Sequence, residues 1–183
     1  MRRTLDRLIS WMGLLLALVL IVAGGLLWWA NSFISDQVSE QLAMQNITMP
    51  EKDQLETKAQ KDALSQYAGQ EMTTGDQAKA YADHYILEHM NAASGGRTYS
   101  EVSGEFMQMS SDPAADQEKV AELGQLRQTL FMGSTLRGLL LNAYAFGTIG
   151  KIAGLASVAA FIAAILMLLL GLLGLRHAAR VES

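Results

Sequence analysis

Residues 135–176 read TLRGLLLNAYAFGTIGKIAGLASVAAFIAAILMLLLGLLGLR, and this stretch decides the fold. The 24 residues from Ile152 to Leu175 carry no charge, and Ser157 is their only polar side chain. A hydrocarbon core of about 30 Å needs about 20 helical residues, so this run can cross a bilayer. The apolar stretch is longer than one crossing. Gly138 to Leu175 is 38 residues, about 57 Å as a continuous helix, nearly twice the core thickness. Gly147, Gly150 and Lys151 mark the expected division. Residues 149–175 form a transmembrane helix with its core at 152–175. Residues 136–147 form a separate interfacial helix carrying Arg137 and Asn142, with Tyr144 and Phe146 at headgroup depth.

One counterpart lies near the start. After Arg2, Arg3 and Arg7, the 23 residues from Leu8 to Ala30 hold no charge. The run exceeds a signal-peptide core and ends in bulky Trp28 and Trp29, where cleavage would want small residues, so an uncleaved span is expected. Trp11 at one end and Trp28, Trp29 and Phe33 at the other suit the two interfaces. Arg2, Arg3 and Arg7 flank one span and Arg176 and Arg180 the other, which puts both termini in the cytoplasm. The expected fold class is an all-α membrane protein, two transmembrane helices joined by a small helical extracytoplasmic domain. Its parts are a basic cytoplasmic head at 1–7, helices at 8–30 and 149–175, an acidic outer domain at 31–135, the interfacial helix at 136–147 and a cytoplasmic tail at 176–183.

Charge supports this division. From Ile34 to Thr148 there are 16 Asp and Glu against 8 Lys and Arg, a net of −8, while the rest of the chain carries +4. An acidic centre argues against nucleic acid, whose binding draws on basic groups facing phosphates. With no cysteine there is no disulfide and no thiolate chemistry. Neither apolar core holds the ionisable group that marks an ion path, which speaks against transport.

Local signals in the centre predict helices and no substantial sheet. The first helix should outrun the membrane to about Gln45 and break before Pro50, with a loop or marginal helix to Lys61. Thr74 reads as the cap of a helix running to about Ala92, with Ala78, Tyr81, Ala82, Tyr85, Ile86 and His89 on one face. Gly95 and Gly96 stop it. Thr98 with Glu101 forms a capping box, and Pro113 suits the first turn of the next helix.

No catalytic pattern emerges. His84 and His89 are five apart, about 140° around an α-helix, whereas metal-binding pairs sit four apart. Asp76, Asp83 and Glu88 are the acids that would have to join them. No cofactor or metal site is expected. Small residues do form a pattern. Gly150 and Gly154, and Gly13 and Ala17, are notches through which helices approach closely in lipid. The candidate interaction surface is where Arg137, Asn142 and Tyr144 meet the helix bearing Tyr81, Tyr85 and His89. The partners expected are the bilayer and a membrane or envelope protein, or a second copy.

Several stretches carry a resemblance: Tyr67-Ala68-Gly69-Gln70, Thr73-Thr74-Gly75, residues 77–82, Gly95-Gly96-Arg97-Thr98-Tyr99 and, above all, residues 135–146. On these the chain resembles an actinobacterial family of two-span membrane proteins of unknown function, over nearly its whole length. Members are often labelled aromatic ring-opening dioxygenase. That chemistry needs His and carboxylate ligands around an open iron position. The geometry of His84 and His89 does not offer it, so the resemblance implies the topology and not the activity.

Overall fold

A computed structural model of the protein describes residues 2–180, with side chains from Thr4 onward. Met1 of the basic head and residues 181–183 of the tail lie outside the described residues, as do the side chains of Arg2 and Arg3. The helices in chain order are α1 (Arg2–Ala43), α2 (Lys58–Leu64), α3 (Gly75–Tyr81), α4 (Leu87–Ser94), α5 (Tyr99–Ser110) and α6 (Gln117–Arg180). A π-helical turn, Ala82–Ile86, fuses α3 to α4. Among the described residues, β pairing is limited to one bridge, Thr48 with Glu71. Two helices are long and apolar enough to cross a membrane, Thr4–Ala43 and Gln117–Arg180, with mean hydropathies of 2.4 and 2.8 over their most apolar windows.

The separate helix expected at 136–147 is not separate. α6 runs unbroken for 64 residues, about 96 Å, through Gly147, Gly150 and Lys151. Glycine costs a helix only about 1 kcal/mol relative to alanine, and packing overrides that. Each glycine admits a close neighbour. A Cβ on Gly147 would lie 3.6 Å from Gly75 Cα, and one on Gly150 would lie 3.1 Å from the Ile34 side chain. Residues 136–147 are therefore part of α6 and not a helix of their own. Pro113 is also displaced from its expected place. It lies in a turn closed by the Ala115 N–H donating to Asp112 O, and α6 starts at Gln117 after the Asp116 carboxylate accepts from the Glu118 N–H.

Contacts divide the chain into two compact units. The first holds residues up to Asp36 and from Thr148. Here α1 and α6 pair antiparallel through small residues recurring every seven positions. On α1 these are Ser10, Ala17, Gly24 and Asn31; on α6 they are Gly150, Ser157, Ala164, Gly171 and Ala178, all five buried. A strict seven-residue repeat gives a left-handed supercoil. Three contacts set the register. Asn31 Nδ2 donates to Gly150 O at 2.8 Å, Ser157 Oγ donates to Gly24 O at 2.8 Å, and a Cβ on Gly171 would meet Ser10 O at 3.1 Å. The same register sets Ala17 against Ala164, which are 1% and 2% exposed.

The second unit, Gln37–Gly147, has a core of its own. Leu42, Met49, Leu55, Leu64, Met72, Ala78, Ala82, Ile86 and Leu140 are buried together. Capping residues place the short helices around it. Thr57, Thr74 and Thr98 each accept the N–H three residues on, and Gln60, Gln77 and Glu101 reach back. Gly95 ends α4 at φ 66°, a conformation few side chains tolerate. α2, read as a loop or marginal helix, is set by the Thr57 box and by Leu64, which is fully buried.

Candidate binding surface

The Thr74 box starts α3 with Gly75 against α6. A Cβ on Gly75 would lie 2.9 Å from Tyr144 Cα and 3.0 Å from Ala143 O, so only glycine allows this approach. One turn on, Lys79 lies over the Tyr144 ring, 5.4 Å from its centroid, and bonds Asp83 four residues ahead. Asp83 is also bridged by Arg137, whose Nη2 donates to Oδ1 at 2.8 Å. Burial is the largest influence on the Asp83 carboxyl and raises it, but the hydrogen bonds and charges of Lys79 and Arg137 together hold it below the usual carboxylate range. Arg137 Nε is buried with no hydrogen-bond partner. Lys79, Asp83, Arg137 and Tyr144 thus clamp α3 and its π-turn to α6.

Tyr81, Tyr85 and His89 form a ladder beside this clamp. The two tyrosine rings stack with centroids 4.8 Å apart, and the His89 ring follows at 4.4 Å. The Tyr85 carbonyl can only accept, so His89 Nδ1, at 2.7 Å from it, is the donor of that bond. His89 itself is exposed, not on the buried stripe with Ala78, Ala82 and Ile86. Burial, then the neighbouring Tyr85, pushes the Tyr81 hydroxyl above its ordinary value, so it stays neutral. Tyr81 and Tyr85 line one wall of a cleft of about 170 Å³, and Thr48, Met49, Pro50, Glu51 and Gln54 line the other.

The expected residues therefore fall into three groups. Arg137 and Tyr144, seven apart on one face of α6, join the helix bearing the ladder. Asn142 is about 140° from Arg137 around α6 and is exposed. It lies on a charge-free face with Met132, Leu139 and Phe146, which are 55%, 62% and 56% exposed. Gly13, Ala17, Gly150 and Gly154 lie in the first unit, packed between α1 and α6. A Cβ on Gly13 would lie 3.8 Å from Gly171 Cα, and one on Gly154 would lie 3.0 Å from the Asn31 amide.

Sequence reasoning missed Asp83 as the centre of the clamp, although Lys79 and Asp83 carry the i,i+4 spacing of a helical ion pair. It read four-residue spacings of glycine and alanine but passed over the seven-residue repeat in both long helices. Among the described residues no group of three or more His, Cys, Asp or Glu is placed to hold a metal ion. His84 lies within the π-turn and His89 in α4, and they are not part of such a group. No family model matches the chain, and no curated protein or solved structure matches it.

Proposed function

We propose that this is an integral membrane protein with a non-enzymatic binding, scaffold or accessory role. In this reading both termini are cytoplasmic, the acidic centre lies outside, and that centre holds a membrane or envelope protein or a second copy of the chain. The reading keeps the topology of the resembled two-span family and leaves aside its ring-opening label. One observation carries it. The helix that carries the apolar run 152–175 also contributes Leu140 to the buried core of the central unit, yet keeps Met132, Leu139 and Phe146 exposed, one every seven residues, with no charge among them. Seven-residue spacing of apolar residues is the pattern that receives another helix.

The absence of cysteine makes the topology testable with single introduced thiols. Ser111→Cys should react with a membrane-impermeant maleimide in intact cells, and Ala179→Cys should react only after lysis. The opposite pattern would overturn the orientation. A photo-crosslinking residue at 139 or 146 should give a reproducible adduct in cells, and one at 61 should not. A chain that stays uncrosslinked at all three positions has no partner on this face, and the binding role fails.

A further inference from the structure

Glycine is the poorest helix former after proline, so a glycine inside a helix asks for a neighbour that needs its space. α6 holds eight glycines, and seven have such a neighbour among the described residues. A Cβ on Gly124 would lie 3.2 Å from the Phe106 ring, one on Gly133 would lie 2.7 Å from Met90 Sδ, and one on Gly171 would lie 2.8 Å from the Leu14 side chain. Gly138 is the exception, with nothing within 4 Å of the place its Cβ would take.

Gly138 lies on the charge-free face of α6. Ala145, seven residues on, is exposed beside it, and the two make a short row of small residues. Phe131 ends that row with its ring tilted against Tyr99, centroids 5.8 Å apart. About 100° around the helix runs the bulky row of Met132, Leu139 and Phe146, all more than half exposed. Asn142 is exposed between the rows, about 40° from Gly138 and about 60° from Leu139. The face thus carries a ridge, a groove and one polar group on the line between them.

A second copy of the chain matches all three. Copies inserted in one bilayer share one orientation, so two α6 helices that meet on this face run the same way. In a parallel pair about a two-fold axis, each flank of one face meets the opposite flank of the other, and residues on the midline meet themselves. The bulky row of each copy then falls on the small row of the other. Asn142 meets its own counterpart, and because an amide both donates and accepts, the two satisfy each other. A polar residue of this kind in an apolar seam fixes register. Charge points the same way. The segment from Ile34 to Thr148 has a net charge of −8, so its copies repel, and that repulsion is least across a face with no charge.

We infer that the charge-free face of α6 pairs with the same face of a second copy, Leu139 and Phe146 of each chain packing on Gly138 and Ala145 of the other around a pair of Asn142 amides. The inference rests on the membrane-spanning, binding role proposed above and names its partner.

The first test expresses two differently tagged full-length copies together, one with a photo-crosslinking residue at 139. The adduct should have twice the mass of the chain and hold both tags. An adduct of any other mass overturns the second copy and leaves the binding role standing, and no adduct overturns both. The second test is sedimentation of the full chain in mild detergent, which should show a dimer. Gly138→Ile fills the groove that receives Leu139 and should raise the dissociation constant by about tenfold or more. The thermal midpoint of the dilute, monomeric chain should not fall, because nothing within the chain touches that position. Gly104→Ile adds the same side chain at an equally open glycine of α5 and should leave the dimer as tight as wild type. A Gly138→Ile dimer as tight as wild type, or equal weakening by both variants, overturns the inference.

Discussion

The two units of this protein solve the same problem by opposite means. The central unit hides large side chains. Leu64 and Met72 are fully buried, and short capped helices wrap around them. The α1–α6 pair hides almost none. Its buried residues are Ser10, Ala17, Ala164, Ser157, Ala178 and glycines, and most of its leucines and valines and all three tryptophans are exposed. In water that arrangement would forfeit the hydrophobic effect, which scales with apolar area removed from water. In lipid the outward side chains lose nothing. Association then rests on close backbone approach and a few hydrogen bonds, which small residues permit. The difference teaches that burial means different things in the two regions, and that equal substitutions should have unequal effects.

The largest contrast lies in truncating leucine. Leu64→Ala removes a fully buried side chain and should cost the central unit about 3 kcal/mol. Leu170→Ala removes a side chain that is 62% exposed on the helix pair and should change its stability by less than about 0.5 kcal/mol in detergent. Thermal unfolding of the two variants measures both. A comparable loss from Leu170→Ala would mean that this surface is covered by protein.

Glycine to alanine sharpens the comparison from the other direction. Gly75→Ala puts a methyl group 2.9 Å from the backbone of α6, which cannot rotate away, and should cost about 2 kcal/mol. Gly25, in the apolar half of α1, has nothing within 4 Å of its Cβ position. Gly25→Ala should be neutral or stabilising by up to about 1 kcal/mol, through helix propensity alone. Hydrogen exchange of the α3 amides should accelerate in Gly75→Ala and stay unchanged in Gly25→Ala.

What could be read in advance follows the same divide. Two long charge-free runs made both long helices legible, and three threonines with Gln or Glu three residues on mark helix starts that local chemistry dictates; two of the three, at Thr74 and Thr98, were read. The break at Gly147 and Gly150 was misread because a glycine within an apolar run has two meanings, a helix end or a close approach, and only the neighbour decides. Gly75 and Ile34 are those neighbours, 72 and 116 residues away in the chain. The clamp at Asp83 was hidden for a similar reason. Lys79 is its local partner, but Arg137 is 54 residues distant. Arg137 and Tyr144 were singled out because polar and aromatic residues are conspicuous in an apolar helix. The cleft needs the Pro50 loop beside the ladder, a juxtaposition no periodicity encodes.

Acid should reach the central unit through that clamp. Asp83 is held below its ordinary value, so its contribution is complete above the unfolded carboxylate pKa of about 3.9 and is lost as pH falls through the lowered folded value. Its partners are 33% and 44% exposed, and screening limits the effect, so Asp83→Asn should cost only about 1 kcal/mol at neutral pH. The gap between wild type and variant should stay constant from about pH 7 to 5 and close as pH falls through the lowered folded value. A gap that persists at low pH would show that Asp83 acts by packing and not by charge.

The smallest effect tests how the helix pair is held. Ser157 Oγ donates to Gly24 O, a carbonyl that α1 already engages in its own ladder, so Ser157→Ala orphans no buried group. Such interhelical bonds average about 0.6 kcal/mol in membrane proteins, and that is the loss expected in a denaturant titration of the detergent-solubilised pair. Asn31→Ala removes the bond to Gly150 and should cost a similar amount. The two bonds lie seven residues apart along both helices, about 10 Å, and share no partner, so their losses should add to within about 0.5 kcal/mol. A double variant that loses much more would mean the bonds act together to fix the register. Additive losses would leave the seven-residue repeat of small side chains as what sets it.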